Sequence, residues 1–241
     1  MRQLIFNADV GEEAGFDAEI MPYVSWCNIA CGSHAGGDEE IRKTIRLALD
    51  HGVKIGAHPS YPDRQNFGRV KMEMSNDDLI KTITDQIRLV KFYVEQMGGE
   101  LHHVKPHGAL YNEAVKNEEV ASSILNAVKN IDKSLVVITQ KKHKDSYLSG
   151  QGLKVKYEAF ADRNYNEDLS LVSRSENNAV LINPHDVFNH VFKMVSEGRV
   201  KVKSGAELPI FFDTICVHGD NPKSVAILKH LHAKFKTLSL L

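Results

Sequence analysis

Cysteine is scarce in this chain. Its three cysteines, Cys27, Cys31 and Cys216, include no CxxC pair, which excludes a disulfide scaffold and points to a reducing, cytoplasmic setting. The first residues lack a charged stretch followed by an apolar run, so no secretory leader is expected. No segment approaches the ~18 consecutive apolar residues of a membrane helix. Charge of one sign is missing too: Lys+Arg 30 against Asp+Glu 31 leaves a net charge of -1. No broad basic field exists to draw in nucleic acid or anionic lipid. Neither GxxxxGK[ST] nor GxGxxG occurs, so no familiar nucleotide cradle is present. Fixed-period repeats, low-complexity tracts and Ser/Gly/Pro linkers are also absent, which leaves one domain over 1–241.

With 241 residues, 42% hydrophobic, the chain is long enough to bury roughly 70–75% of its unfolded surface. Short apolar runs at 4–8, 24–30, 54–58, 101–105, 135–139, 153–160 and 214–219 alternate with longer amphipathic segments. The clearest of these is 76–97, where Leu79, Ile80, Ile83, Ile87, Val90 and Val94 share a face. Ser75 and Asp78 resemble a capping box at its start, and Gly98-Gly99 ends it. Asn183-Pro184 and Asn221-Pro222 each offer a cap followed by proline at the first helical position. Segment 200–212 breaks the rhythm and reads as a small hairpin.

Alternating βα units imply a parallel sheet whose ligand sits at the carboxyl ends of the strands. Four peptides that join histidine to glycine fall at or near those ends: 30–37, 56–63, 104–112 and 215–220. Seven strands with polar residues at nearly every end suggest an incomplete or distorted barrel around one pocket, with an open doubly wound sheet as the alternative.

The chemistry-bearing residues follow from those ends. Asp9 and Glu12 are either turn acids or a carboxylate pair for metal binding or proton transfer. His34 and His58 are candidates to join Asp9 on a divalent metal, or else to act as acid/base or substrate contacts. Lys105 and His107 put a cation and an imidazole on one turn, suited to holding a carboxylate or phosphate and moving a proton. Asn28, Tyr61, Arg64 and Asn112 lie in or beside these peptides as candidate substrate contacts. Glu158, Asp162 and Arg163 place two acids and a guanidinium together, for split acid and base duties and carboxylate recognition, unless Asp162 and Arg163 merely clasp a loop. His218 and Asp220 form a further pair, although Asp220 also reads as the residue before a helix cap. The cysteines read as buried apolar thiols, and His102, His103, His143, His185, His190, His230 and His232 as ordinary.

The motifs NADVGE (7–12), NIACGSHAGGD (28–38), IGAHPSYPD (55–63), FGR (67–69), HVKPHGALYN (103–112), EAFADRNY (158–165) and TICVHGD (214–220) make the chain closely resemble the LamB/YcsF family, the A subunits of 5-oxoprolinase, over essentially its full length. It departs at Ala8, where the family usually has cysteine, at Ser33, where it usually has phenylalanine, and at Ser60, where it usually has glycine. Asn177-Asn178-Ala179 also lacks a usual Gly-Ala. The resemblance implies an α/β fold, a distorted (β/α)7 TIM-like barrel of the glycoside hydrolase/deacetylase type. It also implies partner subunits B and C, and ATP as co-substrate for opening 5-oxo-L-proline to L-glutamate. The roles it suggests are Lys105 or Arg163 on the substrate carboxylate, one of Glu158, Asp162 or Asp9 activating water, and His107 or His218 protonating the ring nitrogen. A metal-dependent deacetylase of the same fold, or a small-acid-binding subunit without catalysis, are the competing readings.

Overall fold

Period-2 alternation decides which side chains of each strand enter the barrel. In β1 (Phe6–Val10), Phe6, Ala8 and Val10 join the apolar core, while Asn7 and Asp9 make their hydrogen bonds in the interior. The pattern repeats in β2 (Trp26–Ala30) and β3 (Lys54–His58). There Cys27, Ile29, Ile55 and Ala57 face the helices. In β4 (Leu101–Val104), β5 (Val136–Thr139) and β6 (Lys154–Phe160), the same logic brings His103 and Glu158 inside.

The structure, a computed structural model, describes residues 3–141 and 152–241. His143 lies outside them. The antiparallel pair β7 (Arg199–Lys201) and β8 (Glu207–Pro209) is the hairpin expected from the sequence. The last strand, β9 (Thr214–His218), pairs with both β6 and β1. A closed barrel results, in the order β1-β2-β3-β4-β5-β6-β9, and every pairing in it is parallel. The first strand begins two residues later than its apolar run suggested, which places Asp9 within the strand.

The mantle consists of α1 (Asp17–Ile20), α2 (Asp38–Asp50), α3 (Asn76–Gln96), α4 (Gly108–Ala114), α5 (Glu118–Lys129), α6 (Pro184–Glu197) and α7 (Ser224–Thr237). Ile41 and Ile45 of α2, Ile83, Ile87 and Val90 of α3, and Ile124 and Val128 of α5 are almost wholly buried against the strands. Each such side chain contributes about 1.5–3 kcal/mol. No helix among the described residues is long and apolar enough to cross a membrane.

The helix ends agree with the sequence in part. Ser75 Oγ accepts from Asp78 N at 3.1 Å, but its hydroxyl donates to the Asp78 carboxylate at 2.6 Å, so the box is only half formed. Asn183 caps α6 by accepting from the backbone of His185 at 2.9 Å. Asn221 does not cap α7, whose N-cap is Lys223. Its side chain turns inward and donates to Asp162 Oδ2 at 2.9 Å. The short helix α4 was not foreseen, and it brings Tyr111 and Asn112 to the cavity wall.

Candidate active site

The site is built in layers from the barrel floor upward. Asn28, Gly56 and His103 stand in register on neighbouring strands, and His103 reaches across the glycine. A Cβ on Gly56 would lie 2.2 Å from His103 Nε2, so only glycine leaves room for the ring. That nitrogen meets Asn28 Oδ1 at 2.8 Å. The Asn28 amide donates to Asn7 Oδ1 and to Asp9 Oδ1, both at 2.8 Å. Asn28 is therefore a fully buried strut beneath Asp9 and does not line the cavity.

Lys105 forms the next layer. Its ammonium lies 2.9 Å from Asp9 Oδ1 and 3.1 Å from Glu158 Oε2, and it donates to Cys216 Sγ at 3.1 Å. Burial alone would favour a neutral amine, yet Asp9, Cys216 and Glu158 hold the lysine well above its ordinary range. Burial would likewise raise Asp9, but His58, Lys105 and His218 carry it well below the usual carboxylate range. Glu158 is raised, because burial outweighs the pull of Lys105. Cys27 and Cys31 are buried as expected, whereas the setting of Cys216 is polar: burial and Asp9 push its thiol up although Lys105 is adjacent.

Above Lys105 three imidazoles gather round Glu12. His58 Nδ1 lies 2.7 Å from Lys105 O, and His107 Nε2 lies 2.9 Å from Phe67 O. Their other nitrogens, His58 Nε2 and His107 Nδ1, face each other at 3.0 Å. Glu12 Oε1 is 3.3 Å from both His107 Nδ1 and His34 Nε2. Burial, reinforced by His107 and Lys105, takes His58 down to about 3 despite Asp9. Burial lowers His34 as well. Burial would raise Glu12, but the neighbouring imidazoles of His107 and His34 lower it far below its usual value.

The expected metal trio of Asp9, His34 and His58 does not close around one point. His34 turns to Glu12, and its ring lies flat on His107 with centroids 3.8 Å apart and planes 2° apart. Ligand atoms that do lie within 4.8 Å of one another include those of Glu12, His34 and His107, and those of Asp9, Cys216 and His218.

On the opposite wall His218 Nδ1 lies 2.8 Å from Asp162 Oδ1. The alternative reading of Asp162 and Arg163 as a loop clasp does not hold, since the Asp162 oxygens meet His218 and Asn221 instead. Burial would raise Asp162, but the charge and hydrogen bond of His218, with the Asn221 amide, bring it below its ordinary value. Arg163 gives its guanidinium to Val172 O at 2.5 Å and Ala179 O at 3.3 Å, both backbone carbonyls. Burial, with Arg174 nearby, lowers it to about 10.

Asp220 is no mere helix-end residue, for it sits between Arg69 at 2.5 Å and Arg174 at 3.3 Å on the rim. Together these layers bound a cavity of about 510 Å³. Asp9, Glu12, His58, Lys105, His107, Asn112, Arg163, His218 and Asp220 all line it, while His34, Glu158 and Asp162 stand directly behind. Tyr61 is buried away from the cavity. Arg64 pairs with Glu13 at 3.1 Å on the exposed surface, and neither residue lines the cavity. Sequence reasoning missed His103, Asn221, Arg69 and Arg174. A glycine amid a strand was the available sign of His103, because it marks close approach of another group.

Sequence and structure comparisons converge on one group. The LamB/YcsF family model matches residues 4–240. The chain belongs to the LamB/YcsF family. It is 41% identical over 231 residues, 93% of this chain and 91% of the relative, to a Pyrococcus abyssi protein named as the A subunit of 5-oxoprolinase. It is 42% identical over 240 residues, 96% and 93% of the two chains, to another of that name from Natranaerobius thermophilus. The crystal structure of a lactam utilization protein from Thermus thermophilus superposes with a TM-score of 0.89 at 34% identity, covering 99% of this chain and 98% of that one. The closed parallel barrel is thus a LamB/YcsF fold, and both the family and the fold class expected from the motifs hold.

Proposed function

We propose that this protein is the A subunit of a 5-oxoprolinase, opening the lactam of 5-oxo-L-proline to L-glutamate with partner subunits B and C in a reaction driven by ATP. One observation carries the reading: a His218–Asp162 pair and a buried Asp9–Lys105 pair share one cavity, in a chain 41% identical to a protein named as the A subunit of 5-oxoprolinase. These relatives do not favour the deacetylase reading.

A lactam is a resonance-stabilised amide, so its opening needs an activated carbonyl, an attacking water and a proton for the leaving nitrogen. Asp162 engages His218 Nδ1, fixing the ring so that Nε2 is the nitrogen left to exchange protons. His218 takes the proton of the attacking water and returns it to the ring nitrogen as the C–N bond breaks. Lys105 is locked in place by Asp9 and Glu158, which makes it a fixed positive charge beneath the phosphorylated lactam oxygen rather than a mobile substrate clamp. The substrate carboxylate is assigned to Arg69 and Arg174 at the rim, whose pairing with Asp220 is partly exposed and leaves them facing the cavity, whereas the fork of Arg163 is engaged by buried carbonyls. Phosphorylation of the lactam oxygen by ATP, with release of ADP, supplies the carbonyl activation; ring opening by the first water leaves a γ-glutamyl phosphate, and a second water hydrolyses it to L-glutamate and inorganic phosphate. Neither GxxxxGK[ST] nor GxGxxG occurs in the sequence, and in this proposal the nucleotide is assigned to the partner subunits.

The test is reconstitution: this chain, the two partners, 5-oxoproline and ATP, with glutamate measured as each component is omitted. Glutamate should form only in the full mixture, and formation undiminished without this chain would refute the proposal. Within the mixture His218→Gln should lower turnover about 10²–10⁴-fold while leaving the unfolding temperature close to that of the unmodified chain.

A further inference from the structure

The nitrogens of His58 and His107 that meet at 3.0 Å present a problem of valence. A carbonyl oxygen only accepts, so the contacts of His58 Nδ1 with Lys105 O and of His107 Nε2 with Phe67 O place the hydrogen of each neutral ring on its outer nitrogen. Between two neutral rings, lone pairs then face each other across 3.0 Å, an arrangement satisfied either by a shared proton or by a metal ion held between them. The rings are nearly perpendicular, at 83°, so the two lone pairs can converge on one point.

Two carboxylate oxygens border the same point. Glu12 Oε1 lies 3.3 Å from His107 Nδ1 and 3.8 Å from His58 Nε2. Asp9 Oδ2, the oxygen not engaged by Asn28 and Lys105, lies 3.5 Å from His58 Nε2. Atoms bound at about 2.0–2.1 Å to a tetrahedral ion stand about 3.3–3.4 Å apart, and these separations scatter about that spacing. His34 cannot complete the set, because its ring is parallel to that of His107 and parallel lone pairs do not converge. It donates from Nε2 to Glu12 and so orients that carboxylate.

We infer that Asp9, Glu12, His58 and His107 form a binding site for one divalent transition-metal ion of the zinc class, with His34 positioning Glu12. Two imidazole nitrogens and two carboxylate oxygens suit such an ion, and all four residues line the cavity, which leaves a side open to water or substrate. Bound there, the ion would supply Lewis acidity to a carbonyl or a water molecule. The inference rests on ligand geometry alone and stands apart from the lactam reading.

The experiment is direct metal binding by the isolated full-length chain after chelation and dialysis, with Co²⁺ as the spectroscopic probe. Visible absorption of low-symmetry Co²⁺ should appear, saturate at one ion per chain and vanish as Zn²⁺ displaces it. Glu12→Gln and His107→Gln should weaken Co²⁺ binding by at least about 100-fold and His34→Ala by about 10-fold, with Arg64→Ala unchanged. A folded unmodified chain that takes up neither ion overturns the proposal. So does undiminished affinity in a folded Glu12→Gln variant. Should the ligand variants fail to fold, the unfolding temperature of the unmodified chain decides: a rise with Zn²⁺ supports the site and no change refutes it.

Discussion

On the barrel floor, Asn7, Asn28, His103 and Thr214 hydrogen-bond one another and their strands. One layer up, the same kinds of side chain are left incomplete. His34 Nδ1, Glu158 Oε1 and the Tyr111 hydroxyl have no hydrogen bond of ordinary geometry, and His58 Nε2 faces His107 Nδ1 at 3.0 Å while the other nitrogen of each ring is engaged by a carbonyl. Both layers are buried, and burial makes every unmet valence costly. The floor is finished structure, whereas the upper layer is shaped for something that arrives from the cavity.

The largest perturbation should come from removing the charge that joins the two layers. Lys105→Met leaves Asp9 and Glu158 buried without their cation, and should destabilise the chain by about 3–5 kcal/mol in denaturant titration while abolishing glutamate formation. A floor mutation should act on stability first. In Gly56→Ala the new methyl would collide with His103, and a loss of about 1–3 kcal/mol is expected. A stability unchanged by that substitution would show that the ring does not cross the glycine.

A smaller effect should appear in the pH dependence. Burial keeps His103 far below its ordinary pKa, so below about pH 6.5 the unfolded chain takes up a proton that the native ring refuses. Its contribution is complete above that pH and declines on acidification, by up to about 1.4 kcal/mol per pH unit. His103→Gln, which preserves a donor toward Asn28, should flatten the decline of stability between neutral and mildly acid pH. The smallest effect belongs to Arg64→Ala. Its ion pair with Glu13 is more than half exposed on both sides, and removal should cost at most about 0.5–1 kcal/mol with turnover unchanged.

Much of the architecture is legible along the chain because each element announces itself locally. The stripe of α3, its serine cap and the proline at the start of α6 depend on residues a few positions apart. The strand-end histidines and acids were legible for a related reason: glycine beside histidine at a strand end is a local pattern. What could not be read was adjacency. Asn221 carried a helix-cap signature and became a partner of Asp162, 59 residues away. His103 looked ordinary and became a strut, because its role depends on Gly56 and Asn28 in two other strands.

The sequence alone therefore determined the alternating strands and helices, the family, and which residue types line one end of the barrel, since all of these follow from periodicity and short-range motifs. Only closure of the barrel decided which of those residues meet. Registering β1 against β2 and β9 brings Asp9 level with Asn28 and His218, and a shift of one residue would turn Asp9 outward into the apolar mantle. The physical reason is that hydrogen bonds and lone pairs act over about 3 Å, and at that range only the folded chain specifies a neighbour.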